Sequence, residues 1–298
     1  MDQKQILEYI KNLEQLTKFL KTLVVEEFEE PVDEIAEFTC LRMLAKSDKW
    51  PEALPDELNS TDEDFQLYRA SRILNEFITD DIGGKSFLDF GCGKGHVAYL
   101  AANLLKPLKS IGYDIKDDNW EHFEKEDNLL FTTNIKELKL NAPYDIILLN
   151  DVLDHCNKPA ETLAQIKELK SENAQVFLRM HPWTSRHGQH LHEQLNKSYL
   201  HLVFSEMELY SIGVKPRSKI QKYLDPLAEY RNLIANAGFT IQSEDIVTQS
   251  LDSFFTSNKK IASRISKNWK DDKNPMLANG VGFPQNILEI QFVDYVLI

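Results

Sequence analysis

Ser86-Phe87-Leu88-Asp89-Phe90-Gly91-Cys92-Gly93-Lys94-Gly95-His96-Val97 combines a short apolar strand, an acid, a glycine-rich turn and the start of a helix. Glycines let the backbone approach a ligand closely, because they carry no Cβ and accept positive φ. The free N–H groups in the first turn of the following helix would then face that ligand. A dinucleotide-binding fingerprint requires glycine where His96 stands, so the sequence argues against a nicotinamide-dependent oxidoreductase.

A second apolar strand, over residues 109–115, carries Asp114 near its end. An amphipathic helix over residues 97–105, which Pro107 ends, separates this strand from the glycine-rich turn. An acid about 20 residues beyond such a turn can accept hydrogen bonds from both hydroxyls of a ribose. The alternative for Asp114 is a turn residue at the end of a strand.

The D-x-G-x-G-x-G pattern of residues 89–95, taken with Asp114, resembles the first motifs of class I S-adenosylmethionine (SAM)-dependent methyltransferases. Asn150-Asp151-Val152-Leu153-Asp154-His155 is similar to the N-V-L-E-H segment that follows the fourth strand in many small-molecule members of that family. The resemblance covers roughly residues 82–182, 225–248 and 285–298. It implies SAM as the cofactor and S-adenosylhomocysteine as the product.

The resemblance also implies an α/β fold of the Rossmann-like type. We expect a seven-stranded, mostly parallel sheet with helices on both faces, and a last strand that is antiparallel and inserted beside its predecessor. The hydrophobic pattern agrees, because residues 144–151 form the near-continuous apolar run of a strand buried on both faces. The other predicted elements are strands over residues 174–180 and 287–298, a strand that ends at residues 131–134, a strand that begins at residues 239–242, and helices over 159–170 and 225–237.

Carried over residue by residue, the resemblance assigns most of a cofactor pocket. Asn134 would contact the adenine, although an acid is more usual there and a helix N-cap for residues 135–140 is the alternative. The remaining assignments are Asp89, Gly91, Gly93 and Gly95 at the methionine end, Asp114 at the ribose, and Asn150 and Asp151 near the methionine moiety.

Two histidines are candidate catalytic bases, since a hydroxyl or amine acceptor must lose a proton during methylation. His155 coincides with the histidine of the family's segment, and His181 follows the fifth strand. Structural hydrogen bonding is the alternative for each. His187, His190 and His192 could cluster, but their spacing is not specific for zinc and no nearby cysteine completes a set. We therefore predict no metal site from the sequence.

The segments outside the resemblance are an N-terminal helical extension, residues 1–80, and two insertions near 182–224 and 249–284 in a SAM-binding domain of residues 81–298. Loops beyond the strand ends form the binding cleft in open α/β sheets, so we expect the insertions to select the substrate. An apolar stripe over residues 6–23 could pack on its own domain, close over SAM or form a homodimer.

Composition limits the classes of binding partner and the cellular compartment that we expect. The 298 residues include 34 basic and 47 acidic ones, and the net charge of −13 disfavours general binding to nucleic acid. The chain has no run of 18 apolar residues for a membrane span and only three cysteines, which is typical of a cytoplasmic protein. Two basic clusters could be solvated helix faces or could hold an anionic substrate: Lys215, Arg217, Lys219 and Lys222, and Lys259, Lys260, Arg264, Lys267 and Lys270.

The sequence thus predicts a SAM-dependent methyltransferase that acts on an O, N or C atom, most plausibly of a small molecule. The residues after the fourth strand lack the N/D-P-P-Y/F motif of enzymes that methylate exocyclic amines of bases. No Pro-Cys dipeptide for a cytosine-C5 nucleophile is present. The alternatives are a nucleic-acid methyltransferase and a SAM-binding interaction protein without transferase activity.

Overall fold

Seven strands form a single mixed sheet in the computed structural model, which describes residues 34–55, 62–216, 222–223, 225–269 and 285–298. The strand order is β3-β2-β1-β4-β5-β7-β6, with β1 to β5 parallel and β7 antiparallel to both of its neighbours. This confirms the predicted fold and the insertion of the last strand. The strands are β1 (Ser86–Phe90), β2 (Lys109–Tyr113), β3 (Leu129–Thr132), β4 (Tyr144–Asn150), β5 (Lys170–Met180), β6 (Ile241–Thr248) and β7 (Ile290–Leu297).

Helices pack on both faces of this sheet and above its carboxyl edge. The α-helices of the described residues are α1 (Glu34–Ala45), α2 (Glu63–Phe77), α3 (His96–Leu100), α4 (Ile135–Leu140), α5 (Pro159–Leu169), α6 (Leu200–Val203), α7 (Glu206–Ser211), α8 (Pro226–Asn236), α9 (Ser253–Ser257), α10 (Lys259–Trp269) and α11 (Gln285–Leu288). None of these helices has the length and apolar character needed to cross a membrane.

The central strands are apolar on both faces because a hydrophobic core lies on each side of them. Leu88 and Ile147 point into one core, which α5 and α8 cover. Phe87, Ile146 and Leu148 point into the other, where α2 contributes Ile73, Leu74 and Phe77. Because β1 and β4 are parallel, Asp89 near the end of β1 and Asn150 at the end of β4 lie at the same edge of the sheet.

Two elements differ from the sequence-based expectation. The helix predicted over residues 97–105 is α-helical only to Leu100, continues as a π-helix over Ala101–Leu105 and ends at Lys106, whose φ is 46°. The predicted last strand begins later than expected, since its first residues form α11. Tertiary packing explains this helix, because Leu288 is fully buried and its carbonyl accepts a hydrogen bond from the Tyr199 hydroxyl.

The segments outside the resemblance share a third hydrophobic core, which we call the cap core. It joins Trp50 and Leu41 of the N-terminal part to Phe204 of the first insertion and Phe255 of the second. The two described helices of the N-terminal part pack differently: α1 contributes to the cap core, and α2 packs on the sheet. The apolar stripe of residues 6–23, and with it the expected homodimer contact, lies outside the described residues, and the division at residue 80 stays a prediction.

His201 makes the cap core sensitive to acid. It lies on α6, is almost fully buried and donates from Nε2 to the Trp183 carbonyl at 2.6 Å. Burial lowers the pKa of His201 to about 3. The unfolded chain binds a proton on this histidine below pH ~6.5 and the folded chain does not, so its contribution to stability is complete above that pH and is lost as the pH falls toward 3.

We expect the wild type to lose about 2 kcal/mol more unfolding free energy than His201→Gln when the pH falls from 8 to 5. Glutamine keeps a donor for the Trp183 carbonyl but does not titrate. Urea unfolding of both proteins at the two pH values measures the difference. Equal losses would show that His201 is protonated in the folded state or is not buried as described.

Candidate active site

The glycine-rich turn follows β1 and lies at the carboxyl edge of the sheet. Gly91, Gly93 and Gly95 have φ values of 82°, 50° and 88°, so each adopts a conformation that favours glycine. The Gly91 and Cys92 N–H groups donate to the Tyr113 carbonyl at 2.7 and 3.0 Å and so attach the turn to β2. A Cβ at Gly93 would meet no atom within 4 Å, so the turn leaves open space at its middle glycine.

Aromatic rings pack against this turn. The Trp120 ring stacks on Phe131 with 5.2 Å between centroids, and its Nε1 donates to the Gly93 carbonyl at 2.8 Å. A Cβ at Gly95 would lie 2.7 Å from the Phe131 ring, so glycine is required there by space as well as by φ. Trp120 could not be predicted from the sequence, because it lies outside the family motifs and reaches the turn only in the folded chain.

Asp89 is a buried carboxyl at the end of β1. Its Oδ2 has no hydrogen-bond partner among the described residues. Burial raises the pKa of Asp89 to about 7, against a hydrogen bond from the Ala98 N–H that lowers it. A buried, unsatisfied carboxyl oxygen is costly unless a ligand pairs with it, and a cationic amino group is the natural partner.

Asp114 lies next to the turn, just after β2. Its Oδ2 accepts from the Gly93 N–H at 2.9 Å and its Oδ1 accepts from the Lys116 N–H at 3.4 Å. A carboxylate can accept about four hydrogen bonds, so both oxygens keep capacity for two further donors such as the hydroxyls of a ribose. The open space at Gly93, the unpartnered oxygen of Asp89 and this capacity fit a SAM molecule.

Asn134 and Asn150 have different surroundings. The Asn134 side-chain oxygen accepts from the Lys136 N–H at 3.0 Å, so it caps α4, and its adenine role stays a prediction. Asn150 ends β4 and donates to Asp151 Oδ2 at 2.9 Å, while its own Oδ1 is buried without a hydrogen-bond partner in the described chain. Asn150 is therefore placed to accept a hydrogen bond from a ligand at the end of β4.

Asp151 is held in a strained conformation at the end of β4. Its φ is 57°, which is uncommon for a residue other than glycine, and its N–H donates to the Arg179 carbonyl at 3.1 Å. The carboxylate lies 3.0 Å from His181 Nε2 and 3.4 Å from the Arg69 guanidinium. Burial alone would raise the pKa of Asp151, but His181 and the guanidinium groups of Arg69 and Arg179 bring it well below its usual range.

His181 connects Asp151 to a second imidazole. Burial lowers the pKa of His181, but the Asp151 carboxylate outweighs it, so the pKa is raised overall. Its Nδ1 lies 3.0 Å from the Gln291 carbonyl and 3.1 Å from His187 Nε2. Burial and the neighbouring imidazoles hold the pKa of His187 well below its usual range. His187 Nδ1 is buried without a hydrogen-bond partner in the described part of the chain, so it is the free end of this row.

His155 lies on the other side of the β4 end, beside Asp154 and His190. Its Nε2 is 3.5 Å from Asp154 Oδ2, and its ring centroid is 4.5 Å from that of His190. The structure thus brings Asp89, Gly91, Gly93, Gly95 and Asp114 together at the turn, and Asn150, Asp151, His155 and His181 together at the ends of β4 and β5. Asp154 was missed as a site residue, although it directly precedes His155 in the family segment.

The comparisons with known proteins agree with this architecture. A model of the family described as "Methyltransferase domain" matches residues 62–244, which is more than half of the chain. No curated protein matches the chain significantly.

Solved methyltransferase structures are similar to the chain at low sequence identity. Coclaurine N-methyltransferase bound to N-methylheliamine and S-adenosylhomocysteine is 15% identical, with 100% of this chain and 96% of that chain covered and a TM-score of 0.47. Magnesium protoporphyrin IX methyltransferase from Synechocystis PCC 6803 is 12% identical, with 99% of each chain covered and a TM-score of 0.42. A SAM-dependent methyltransferase from Archaeoglobus fulgidus is 17% identical over 78% of this chain and 93% of that one, with a TM-score of 0.45. From the family match and the seven-stranded sheet, the chain belongs to the class I SAM-dependent methyltransferase family, whose cofactor is SAM.

Proposed function

We propose that the protein methylates a small molecule that binds at the ends of β4 and β5, beneath the cap core. The observation that carries this proposal is the burial of the polar side chains there. The side chains of Asp151, His181 and His190 are only 16%, 15% and 14% exposed. Side chains with so little exposure can be reached by a small molecule, whereas an intact duplex would have to flip out a base to reach them.

The cofactor would lie along the glycine-rich turn. Asp114 would hold the ribose hydroxyls, Asp89 would face the amino group of the methionine end, and Asn134 would be available to the adenine. When bound, SAM supplies an electrophilic methyl group. Holding the acceptor in line with that group accounts for a large part of the rate, because orientation removes much of the entropic barrier.

Asp151 and His181 would remove the proton from the acceptor. His181 Nδ1 donates to the Gln291 carbonyl, because a carbonyl can only accept, so Nε2 is the nitrogen that takes the proton. The Asp151 carboxylate, 3.0 Å from Nε2, then stabilises the His181 imidazolium. His181, one of the two bases predicted from the sequence, is thus the proton acceptor, and His187 Nε2 lies 3.1 Å from its Nδ1 and helps to orient the ring.

The basic clusters favour a small molecule over nucleic acid. Arg264 pairs with Glu37 at 3.0 Å and with Glu208 at 2.8 Å. Lys222 pairs with Glu206 at 3.1 Å. These cations are neutralised by acids of the same chain, so they leave little charge to attract a phosphate backbone. Arg217, Lys219 and Lys270 lie outside the described residues.

The first test is calorimetry with SAM, S-adenosylhomocysteine and NAD, followed by assays of S-adenosylhomocysteine release with pools of small-molecule acceptors. We expect binding of the two adenosyl ligands, none of NAD, and product release with at least one pool. His181→Gln should bind SAM as the wild type does but lower kcat by roughly 10²–10⁴-fold, because it removes a proton acceptor.

His201→Gln is the matched control, since it replaces another buried histidine of the first insertion whose bond is to a backbone carbonyl. It should keep the wild-type kcat at neutral pH. Unchanged turnover in His181→Gln would refute the proton pathway. SAM binding without product from any pool would favour an interaction protein, and salt-dependent binding of RNA or DNA would favour a nucleic-acid substrate.

A further inference from the structure

A carboxylate and two imidazoles meet at the end of β4, next to the Asp151–His181 pair. Asp154 and His155 belong to the short 3₁₀ turn Leu153–His155, and His190 comes from the loop that follows β5. One ligand-type atom from each of these three side chains lies within 4.8 Å of the other two. Two segments separated by more than 30 residues therefore contribute to one polar cluster.

The Asp154 carboxylate is buried without the partners that a buried charge requires. Its side chain is 2% exposed, and neither of its oxygens makes a hydrogen bond within the described residues. His190 Nε2 is also buried without a hydrogen-bond partner there. Burying an ionised carboxylate costs several kcal/mol unless it is paired or coordinates a metal. The fold itself leaves this cost uncompensated.

The distances within the cluster are those of atoms that share an ion. Asp154 Oδ2 lies 3.5 Å from His155 Nε2 and 3.8 Å from His190 Nε2. These separations are longer than good hydrogen bonds. Ligands at 2.0–2.1 Å from a tetrahedral zinc ion are about 3.4 Å apart, so small side-chain movements would bring all three atoms into coordination.

We propose that Asp154, His155 and His190 bind a divalent transition-metal ion of the zinc type. Two imidazoles and one carboxylate suit such an ion, and three protein ligands leave a fourth position open, as in catalytic zinc sites. His155, the first candidate base from the sequence, is then a metal ligand. The site lies close to the Asp151–His181 pair, because Asp154 is near enough to His181 to raise its pKa.

A second cluster of possible metal ligands differs from the first in how its carboxylate is satisfied. Glu63, His96 and His122 also place three ligand-type atoms within 4.8 Å. Here the Glu63 carboxylate lies 2.9 Å from His96 Nε2, which is an ordinary hydrogen bond, and its side chain is 55% exposed. Hydrogen bonding and water satisfy this carboxylate, so the second cluster carries no metal proposal.

The proposed metal site also indicates which class of acceptor is methylated. This inference rests on the proposed methyl transfer. An oxygen of an alcohol or phenol would bind at the open position, where the ion lowers the pKa of the hydroxyl. The O–H proton would pass to His181 Nε2, beside the Asp151 carboxylate, and the oxygen would form its new bond to the methyl carbon as the bond between that carbon and the cofactor sulfur breaks. The acceptor is therefore a hydroxyl compound and not an amine.

Titration of the metal-free full-length protein with Zn²⁺ by calorimetry tests the site. We expect one ion per chain, with the affinity lowered at least ~100-fold in Asp154→Asn and in His190→Gln, since each removes a direct ligand. His122→Gln, which removes a histidine from the second cluster, should bind Zn²⁺ as the wild type does. Absence of Zn²⁺ binding, or wild-type affinity in Asp154→Asn and His190→Gln, would overturn the proposal.

Two readouts keep this test independent of folding and of catalysis. Asp154→Asn should still bind SAM, which shows that it is folded, and Zn²⁺ should raise the Tm of the wild type but not of this variant. Zn²⁺ binding together with methylation of amines but of no hydroxyl compound would leave the metal site standing and refute the acceptor class, whereas Zn²⁺ binding without methylation of any small molecule would refute the proposed function. Methylation that persists after chelation, without Zn²⁺ binding, would refute the metal site alone.

Discussion

Replacing Trp50 with alanine is expected to lower the free energy of unfolding by about 3–5 kcal/mol, the range for large-to-small changes at buried aromatic residues. Trp50 is fully buried in the cap core. Its ring stacks on Phe204 with 5.9 Å between centroids and lies 5.3 Å from Phe254 and 6.0 Å from Phe255. The alanine variant would leave a cavity between the N-terminal segment and both insertions.

The lost free energy of unfolding includes the loss of a hydrogen bond in addition to the cost of the cavity. Trp50 Nε1 donates to the Ser198 carbonyl at 2.8 Å, and removing the donor leaves a buried acceptor unsatisfied. The adjacent backbone is bonded to the same segment, since the Ser198 N–H donates to the Pro51 carbonyl at 2.9 Å and the Ser198 hydroxyl donates to the Glu52 carbonyl at 2.6 Å. Loss of Trp50 should therefore weaken the packing of the N-terminal segment against the first insertion.

Urea unfolding measures this effect, and Trp50→Phe is its matched control. Phenylalanine keeps an aromatic ring but lacks the N–H, so we expect it to cost about 1–3 kcal/mol. Hydrogen exchange should show faster opening of residues 50–54 and 196–204 in Trp50→Ala. If the alanine variant were as stable as the wild type, the cap core would not be a unit that stabilises the fold.

Asp114→Ala is expected to weaken SAM binding about 10²–10⁴-fold. The ribose hydroxyls would lose two hydrogen bonds to a charged acceptor, each contributing roughly 1.5–3 kcal/mol. The Gly93 N–H would also lose its acceptor at 2.9 Å, so the turn would be less well held. Calorimetry with SAM and with S-adenosylhomocysteine should give similar losses, because both ligands carry the same ribose.

Asp118→Ala is the control for charge. It removes the same charge from an exposed position four residues further on and should leave SAM affinity unchanged. Circular dichroism would verify that both variants are folded. Wild-type affinity in Asp114→Ala would refute the ribose assignment, and equal losses in the two variants would show that net charge and not the position of Asp114 is responsible.

Much of the cofactor end of the site could be predicted from the sequence, because its requirements are local. The turn requires glycines at positions 91, 93 and 95, and all three adopt positive φ in the structure. Asp89 lies near the end of β1 and Asp114 directly follows β2, and the ends of parallel strands lie at the same edge of a sheet. Asn134 was ambiguous for a related reason, since a helix N-cap and a ligand contact favour the same residue type.

The acceptor end could not be predicted in the same way. In the sequence, the spacing of three histidines suggested a possible metal cluster: His187, His190 and His192. The proposed metal site includes only His190 of these, and its other two ligands are Asp154 and His155 of another segment. Likewise, the sequence favoured His155 over His181 as the candidate base, because His155 coincides with the histidine of the family's segment. Only the structure pairs His181 with Asp151 at 3.0 Å and places His155 beside Asp154.

The sequence by itself therefore determined the glycine-rich turn and, through the motifs around it, the family and the seven-stranded fold that the family resemblance implies, because these motifs are patterns of neighbouring residues. The tertiary structure decided which side chains meet at the ends of β4 and β5 and how three separate segments build the cap core. Those contacts join residues up to about 200 positions apart, such as Trp50 and Phe255. They depend on packing across the whole chain, and no local pattern specifies them.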